Sequence, residues 1–416
     1  MQSSNRNPWL WIPTLYFVEG LPYFIVNTIS LIVFKDLGMD NGTLALVTSV
    51  IGLPWMLKPL WSPFVDIIRT KRWWIILMQA LMAASVLVLG LTLPSGSPFT
   101  LSLIFFVIAA FASATHDISA DGFYMLALDE RRQSAFVGIR NTFYRVAMVF
   151  GQGVLVVAAG LLERRLGGAA AAWRWPLAAA GGLLAAAAAW HAFVLPRPAA
   201  DASRAAGGSV LRDFAAAFAS FFRKPGVWFA IVFMLLYRLP EAFSVKMLYP
   251  LFSDGIDAGG LGLGKSEFGL IYGTAGVVAL LVGGILGGLH IASRGLRRCI
   301  VPMALALALP CAVYLLMAIF QPTNLWLLGA MVVLDQFGYG YGFTAYTVWM
   351  MRFADGPLKT SHYAICTGFM ALSMLLPGAV AGYLQQALGY VGFFILVMIC
   401  CIATVSVSLS ARRRLS

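Results

Sequence analysis

The sequence predicts an all-α integral membrane protein of twelve transmembrane helices, and three observations carry that expectation. Of 416 residues, 60% are hydrophobic and 11% are charged, against about 25% charged in a soluble domain. With a mean hydropathy of +0.84, too little polar surface remains to keep such a chain dispersed in water, whereas a bilayer tolerates an apolar exterior. Apolar stretches recur along the whole chain, each long enough to cross roughly 30 Å of hydrocarbon. The basic residues fall in short clusters between those stretches, where the loops of a membrane protein hold them.

The spans are read at 9–34, 42–65, 73–94, 99–128, 136–160, 175–195, 226–252, 268–290, 299–320, 325–352, 361–382 and 390–410. The first contains Glu19 and has no small-residue cleavage site after it, so it reads as a span and not as a cleaved signal. An even number of spans puts both ends on one side. With the ends in the cytoplasm, the cytoplasmic loops hold Arg69, Lys71 and Arg72, Arg131 and Arg132, Arg294, Arg297 and Arg298, and Arg412, Arg413 and Arg414, together with a basic central loop. The opposite loops hold only Lys35, Arg164, Arg165, Arg174 and Lys265, so the bias places both ends inside. Trp9, Trp11, Trp73, Trp74, Trp173, Trp175, Trp228 and Trp326 sit at span ends and read as an interfacial belt.

The longest loop divides the spans six and six. The organisation is therefore 1–195 as one six-helix half, 196–225 as a linker, and 226–416 as the second half. In the linker, Leu211, Phe214, Phe218, Phe221 and Phe222 recur at helical spacing among Arg212, Arg223 and Lys224, the pattern of a helix lying on the membrane surface. Two parallel halves around a midplane site is one layout of secondary transporters. An internal echo agrees with it: Tyr16, Glu19 and Pro22 in span one are matched by Tyr237, Pro240 and Glu241 in span seven.

Composition excludes several functions. The net charge of +12 lies in the loop clusters, without a nucleic-acid-binding motif. The cysteines Cys299, Cys311, Cys366, Cys400 and Cys401 lie in or beside apolar segments and lack metal-ligand spacing. The four histidines are far apart, no phosphate-binding Gly-rich loop is present, and no nucleophile, metal or cofactor constellation marks an enzyme.

Charge inside a span costs roughly 2.5–3.5 kcal/mol on insertion scales and marks a cavity or a partner. The candidates are Glu19 in span one, Lys58 in span two, Asp117 and Asp121 in span four, Arg140 and Arg145 in span five, Arg238, Glu241 and Lys246 in span seven, and Asp335 in span ten. Asp117 and Asp121 are four apart and share a helical face. One of two such carboxylates can hold a proton near neutral pH, as a coupling site needs, with Arg140 and Arg145 available to neutralise the pair and His116 pointing about 100° away; a static ion-pair cluster is the other reading. Arg238 and Glu241 can pair along span seven around a kink at Pro240. Asp335, Gln336, Tyr339 and Tyr341 form a polar-aromatic patch suited to a sugar. Asn27, Tyr16, Tyr23 and Gln152 are further contact candidates. Lys58 and Asp66, with Arg69 and, in the second half, Arg294 and Arg298, read as gate residues.

Taken in order, Gly20-Leu21-Pro22, Lys58 with Leu60-Trp61-Ser62-Pro63 and Asp66, Ser113-Ala114 with Asp117-Ile118 and Asp121, and Tyr144-Arg145 with Gly151 resemble the AmpG permease family of the major facilitator superfamily. The second half matches by layout and by Thr360-Ser361-His362-Tyr363. The resemblance implies a major facilitator fold of two six-helix halves, with no cofactor beyond the proton gradient. It also implies uptake across a bacterial inner membrane of cell-wall turnover products, N-acetylglucosaminyl-anhydro-N-acetylmuramyl units with or without peptide. Asp117, Asp121 and Arg145 would then sit in the functional core. From the residues themselves, Arg140 and Glu241 are expected in proton coupling with them, and Glu19, Tyr144, Tyr237, Arg238 and Lys246 among the substrate contacts. The expected partners are a small-molecule saccharide or muropeptide and membrane lipid, with no nucleic acid, and the expected state is a monomer. An importer of another solute, such as a siderophore or a glycan-derived disaccharide, and a membrane sensor or enzyme are the alternatives.

Overall fold

The computed structural model describes residues 6–93, 98–199, 201, 209–355 and 359–415, and all regular structure among them is helical. The first span, Pro8–Asp36, is α1 (Ile12–Phe24) and α2 (Ser30–Asp36) joined by one wide π turn, Ile25–Ile29. That turn follows Pro22, which has no N–H to give to the helix ladder. The second is broken at Gly52 into α3 (Asn41–Ile51) and α4 (Leu53–Ile67), with Pro54 in the first turn of α4. Then come α5 (Lys71–Thr92), α6 (Pro98–Ala127), α7 (Glu130–Met148), a π turn Val149–Leu155, α8 (Val156–Leu166) and α9 (Ala169–Val194). The linker carries α10 (Ser209–Phe222).

The remaining spans are α11 (Val227–Leu236) with α12 (Leu239–Ser253), α13 (Lys265–Leu270) with α14 (Val277–Arg294) across a π turn, α15 (Leu296–Ala308) with α16 (Ala312–Phe320), α17 (Leu325–Phe353) and α18 (Lys359–Arg414). Among the described residues, nine helical stretches are long and apolar enough to cross a membrane. The other three expected spans are accounted for as well. The α3–α4 pair is interrupted, α17 is diluted by Asp335, Gln336 and its glycines, and α18 is two spans joined at Gly389, whose φ of 67° breaks the helix.

Helix starts follow from unpaired N–H groups. Thr70 accepts from Trp73 N (3.1 Å) at the start of α5, while the Asp201 carboxylate takes Lys71 N and Arg72 N at 2.7 and 3.0 Å. Asp129 caps α7 through Arg132 N. Asp40 caps α3: hydrogen bonds from Thr43, with another from Gln386, hold its carboxyl down to about 2.

By packing, the chain separates into two units, Met1–Leu37 with Ile51–Arg212, and Gly38–Val50 with Asp213–Ser416. In the first, α5 packs on α6 and α9, and α1 on α7; in the second, α14 and α15 pack on α17, and α12 on α18. The segment 38–50 joins the second unit through specific bonds: Asn41 donates to Gln385 Oε1 at 2.7 Å, and Asp254 accepts from Asn41 (3.2 Å) and Tyr390 (2.6 Å).

Two expectations change. In α10, Phe221 is fully buried against Phe353, Phe369 and His362, so this part of the helix packs on protein while Phe222 stays exposed; Leu211 and Phe214 lie outside the described side chains. The tryptophan belt also loses two members. Trp11 is in the core of the first unit, and Trp173 is buried with its N–H on Asp36 Oδ2 at 2.7 Å.

Small residues let membrane helices approach closely, where van der Waals contact replaces the absent hydrophobic drive. At Gly340 the backbone of α14 at Leu280 lies so near that a Cβ has no room, whereas Gly329 on the same helix faces open space. Gly340→Val should therefore lower the thermal midpoint in detergent, by overpacking worth about 1–3 kcal/mol or more, and Gly329→Val should not. Equal midpoints for the two variants would contradict this packing.

Candidate functional site

In the first unit, three acidic side chains converge from two helices. Asp117 and Asp121 lie one turn apart on α6, and Glu19 reaches them from α1, so that carboxylate oxygens of all three lie within 4.8 Å of one another. Cations come from two more helices. Lys58 of α4 pairs with Asp117, and Arg140 of α7 bonds Asp121 Oδ1 at 2.8 Å. Tyr16, one turn before Glu19, donates to the same Asp121 oxygen at 3.3 Å, and the Arg140 guanidinium lies over the Tyr16 ring, 4.6 Å from its centre. Such a contact adds a cation–π attraction to the ion pair.

The helices meet here because Gly20 leaves space for them. A Cβ at Gly20 would stand 2.9 Å from Tyr144 O and 3.0 Å from the Ala147 methyl, so α1 and α7 come together beside Glu19. Exposure is uneven across the cluster. The Asp121 side chain is 41% exposed and that of Asp117 is 18% exposed, while Glu19 retains 6%. The site is thus open at Asp121 and closed at Glu19, whose Oε2 has no hydrogen-bond partner.

His116, next to Asp117, turns away as expected. Its Nε2 meets Gln79 Nε2 at 2.9 Å, Gln79 Oε1 meets His191 Nδ1 at 2.9 Å, and His191 Nε2 meets Thr14 Oγ1 at 2.8 Å. This chain of polar groups, buried at Gln79 and both histidines, ties α1, α5, α6 and α9 together and fixes the rotation of α6.

In the second unit, the helix breaks at Tyr237 and Arg238, just before Pro240, as the kink expectation required. Arg238 grips Glu241 with two hydrogen bonds, 2.8 and 2.7 Å, donates to Tyr339 OH at 2.9 Å and lies over the Phe343 ring. Asp335 accepts from Tyr314 OH (2.6 Å) and from the Gln336 amide (3.0 Å). Glu241, Ser244, Tyr272, Asp335, Gln336 and Tyr339 line a void of about 30 Å³. That is room for a water or two. Lys246 donates to the neutral Thr48 Oγ1 at 3.2 Å.

Several expected roles move. Lys58, read as a gate residue, belongs to the carboxylate cluster, because the acid its long side chain meets is Asp117; the Asp66 side chain lies outside the described residues. Among the described ion pairs, Arg140 joins Asp121 and not Asp117. Arg145 is half-buried five residues further along α7. Tyr16 and Tyr237, expected to touch solute, are buried: Tyr16 is part of the cluster wall, and Tyr237 donates to Gly342 O at 3.0 Å inside an aromatic core. Asn27 donates to Tyr23 O, Tyr23 packs edge-on to Trp55, and Gln152 donates to Thr28 Oγ1. Tyr144 is half-buried, and Arg69, Arg294 and Arg298 are exposed. Sequence reasoning missed Tyr272, Tyr314 and Ser244, which carry no charge and resemble ordinary packing residues in an apolar helix.

A family description of the Major Facilitator Superfamily matches residues 14–382. The chain belongs to that superfamily. Among its relatives is the anhydromuropeptide permease of Escherichia coli K12, 23% identical over 398 residues that cover 92% of this chain and 75% of the permease. A second, named putative transporter AmpG 4, of Rickettsia felis, is 24% identical over 92% of both chains. This superfamily member is thus similar to AmpG-like permeases along most of its length. Solved structures agree on the fold. The nucleoside transporter NupG superposes with a TM-score of 0.71 at 15% identity, covering 97% of this chain and 98% of that one. A POT family transporter in complex with a thioalcohol-conjugated peptide gives 0.73 at 12% identity, covering 96% and 94%. The protein is a multi-pass membrane transporter of the major facilitator fold, and a small molecule is its substrate.

The Arg238–Glu241 pair is buried, with side-chain exposures of 7% and 16%. Removing one member leaves a buried charge, at a cost of about 3–5 kcal/mol. Arg238→Gln and Glu241→Gln should each lower the thermal midpoint in detergent, and the double variant should lose less than their sum. Additive losses in that double-mutant cycle would show the pair to be uncoupled.

Proposed function

We propose that this transporter is a proton-driven symporter of the bacterial inner membrane. Its cargo is a cell-wall-derived muropeptide or amino-sugar saccharide of the N-acetylglucosaminyl-anhydro-N-acetylmuramyl type. The carboxylate trio in the first unit is the observation that carries the reading: three acids on apolar helices meet two paired cations, Lys58 and Arg140. One proton makes that set neutral, and its departure leaves one negative charge in a medium that tolerates charge poorly. Protonation then changes which carboxylates Arg140 and Lys58 hold, and so biases the inward-facing against the outward-facing state. The pH gradient supplies the drive, and no other cofactor is required. The protein works as a monomer with both termini in the cytoplasm, and residues 1–195 and 226–416 are the moving halves of an alternating-access cycle.

The similarity to an anhydromuropeptide permease supports the choice of solute. Polar and aromatic side chains of the second unit suit it as well. Asp335, Gln336 and Tyr339 offer acceptors, an amide and a ring to sugar hydroxyls and faces. Lys246 is a cation whose hydrogen bond goes to a neutral hydroxyl, which leaves its charge available for the carboxylates of a muropeptide. An importer of a neutral glycan-derived disaccharide is the alternative that a single residue discriminates. Lys246→Gln should raise the KM for a carboxylated muropeptide by about tenfold, which is ~1.4 kcal/mol, and leave a neutral disaccharide unaffected. If KM is unchanged for the charged solute, the muropeptide reading loses this contact.

The coupling is tested in vesicles. Asp121→Asn makes the cluster neutral without a proton, so that variant should exchange solute across the membrane but no longer concentrate it with the pH gradient. An Asp121→Asn protein whose accumulation still follows the gradient as the wild type does would refute the role of the cluster.

A further inference from the structure

We infer that Glu19 is the residue that carries the coupled proton, taking it from water reached through Asp121 and donating it in a hydrogen bond to Asp117. The inference rests on the symport reading above and names the atom at which the proton sits.

Each of the other two acids is held by a cation. Asp117 is paired with Lys58, and Asp121 with Arg140 and the Tyr16 hydroxyl. Glu19 has neither. Its Oε2 is buried with no hydrogen-bond partner, and the residue is only 6% exposed. Carboxylate oxygens of Glu19 and Asp117 lie within 4.8 Å of each other. Two ionised carboxylates are acceptors only and cannot bond to each other, whereas a carboxyl and a carboxylate can. A proton on Glu19 removes the uncompensated charge and supplies the missing donor together.

Other groups facing Glu19 do not replace that proton. From α1 comes the neutral Tyr16, and from α4 the ammonium of Lys58, already on Asp117. From α6 come the two aspartates and His116, whose Nε2 is engaged with Gln79. From α7 come Arg140, on Asp121, the neutral Tyr144, and Arg145, half-buried five residues beyond Arg140. The uneven exposure supplies a route: the half-open Asp121 stands between water and the closed Glu19. In each cycle one O–H bond forms at Glu19 on one side of the membrane and breaks on the other, and the same proton leaves to water.

Two measurements on the full chain test this. Purified protein is treated with dicyclohexylcarbodiimide, which adds to protonated buried carboxyls, and the adduct is located by peptide mass mapping without any solute. The expected adduct is on Glu19, with a yield that falls as pH rises. An adduct on Asp117 or Asp121 instead, or on none of the three, overturns the assignment. In proteoliposomes with N-acetylglucosaminyl-anhydro-N-acetylmuramic acid, Glu19→Gln should keep solute counterflow and lose pH-driven accumulation by about tenfold or more. A Glu19→Gln protein that still accumulates under a pH gradient removes Glu19 as the carrier while symport itself stands. A wild type that accumulates only under a sodium gradient overturns both the symport reading and the proton on Glu19.

Discussion

An ionised side chain inside hydrocarbon needs a counter-charge or a proton, and much of the first unit is arranged around that need. Glu19, Lys58, the two aspartates and Arg140 come from four helices, α1, α4, α6 and α7, and hold those helices to one another at a single depth. Gly20 allows α1 and α7 to close on the cluster, and the buried Gln79, His116, His191 chain sets the rotation of α6 from behind. Together they bring three carboxylates and two cations to one place.

The architecture was legible in the sequence because hydropathy acts locally. Each span announces itself by roughly 20 apolar residues, and the break at Tyr237-Arg238-Leu239-Pro240 follows from a missing N–H. The shared face of Asp117 and Asp121 follows from helical periodicity alone. Pairing between helices is a different matter. Lys58 and Asp117 are 59 positions apart, and nothing in the spacing says that the lysine points along α6 when Asp66 lies closer to it in sequence. The same limit hid the relation of Glu19 to the aspartates: each carboxylate is visible as a costly residue, but which of them lacks a cation is a property of the packing. Trp173 and Trp11 were misplaced for a similar reason. A tryptophan at a span end suits the interface equally well whether its ring faces lipid or, as at Trp173, finds an acceptor such as Asp36 inside the bundle.

Residues 38–50 show another feature that sequence order conceals. The segment continues from α2 and precedes α4, both in the first unit, yet its partners are Gln385, Tyr390, Asp254 and Lys246 of the second. α3 ends at Ile51 and α4 begins at Leu53, with Gly52 between them and Pro54 in the first turn of α4.

The two units answer the cost of buried charge in opposite ways, and the difference bears on function. In the second, Arg238 and Glu241 balance each other with two hydrogen bonds, and Asp335 is served by a phenol and an amide. Donors that are neutral, flexible and next to a water-sized void can turn toward the hydroxyls of a solute. The first unit has an odd charge and a partner that lacks a bond. On the symport reading proposed above, coupling belongs with the odd charge, and recognition with the neutral donors and with Lys246, whose ammonium donates to a hydroxyl. A solute bearing both hydroxyls and a carboxylate uses all of these groups; a neutral sugar leaves the lysine idle, which is why that residue separates the two kinds of cargo.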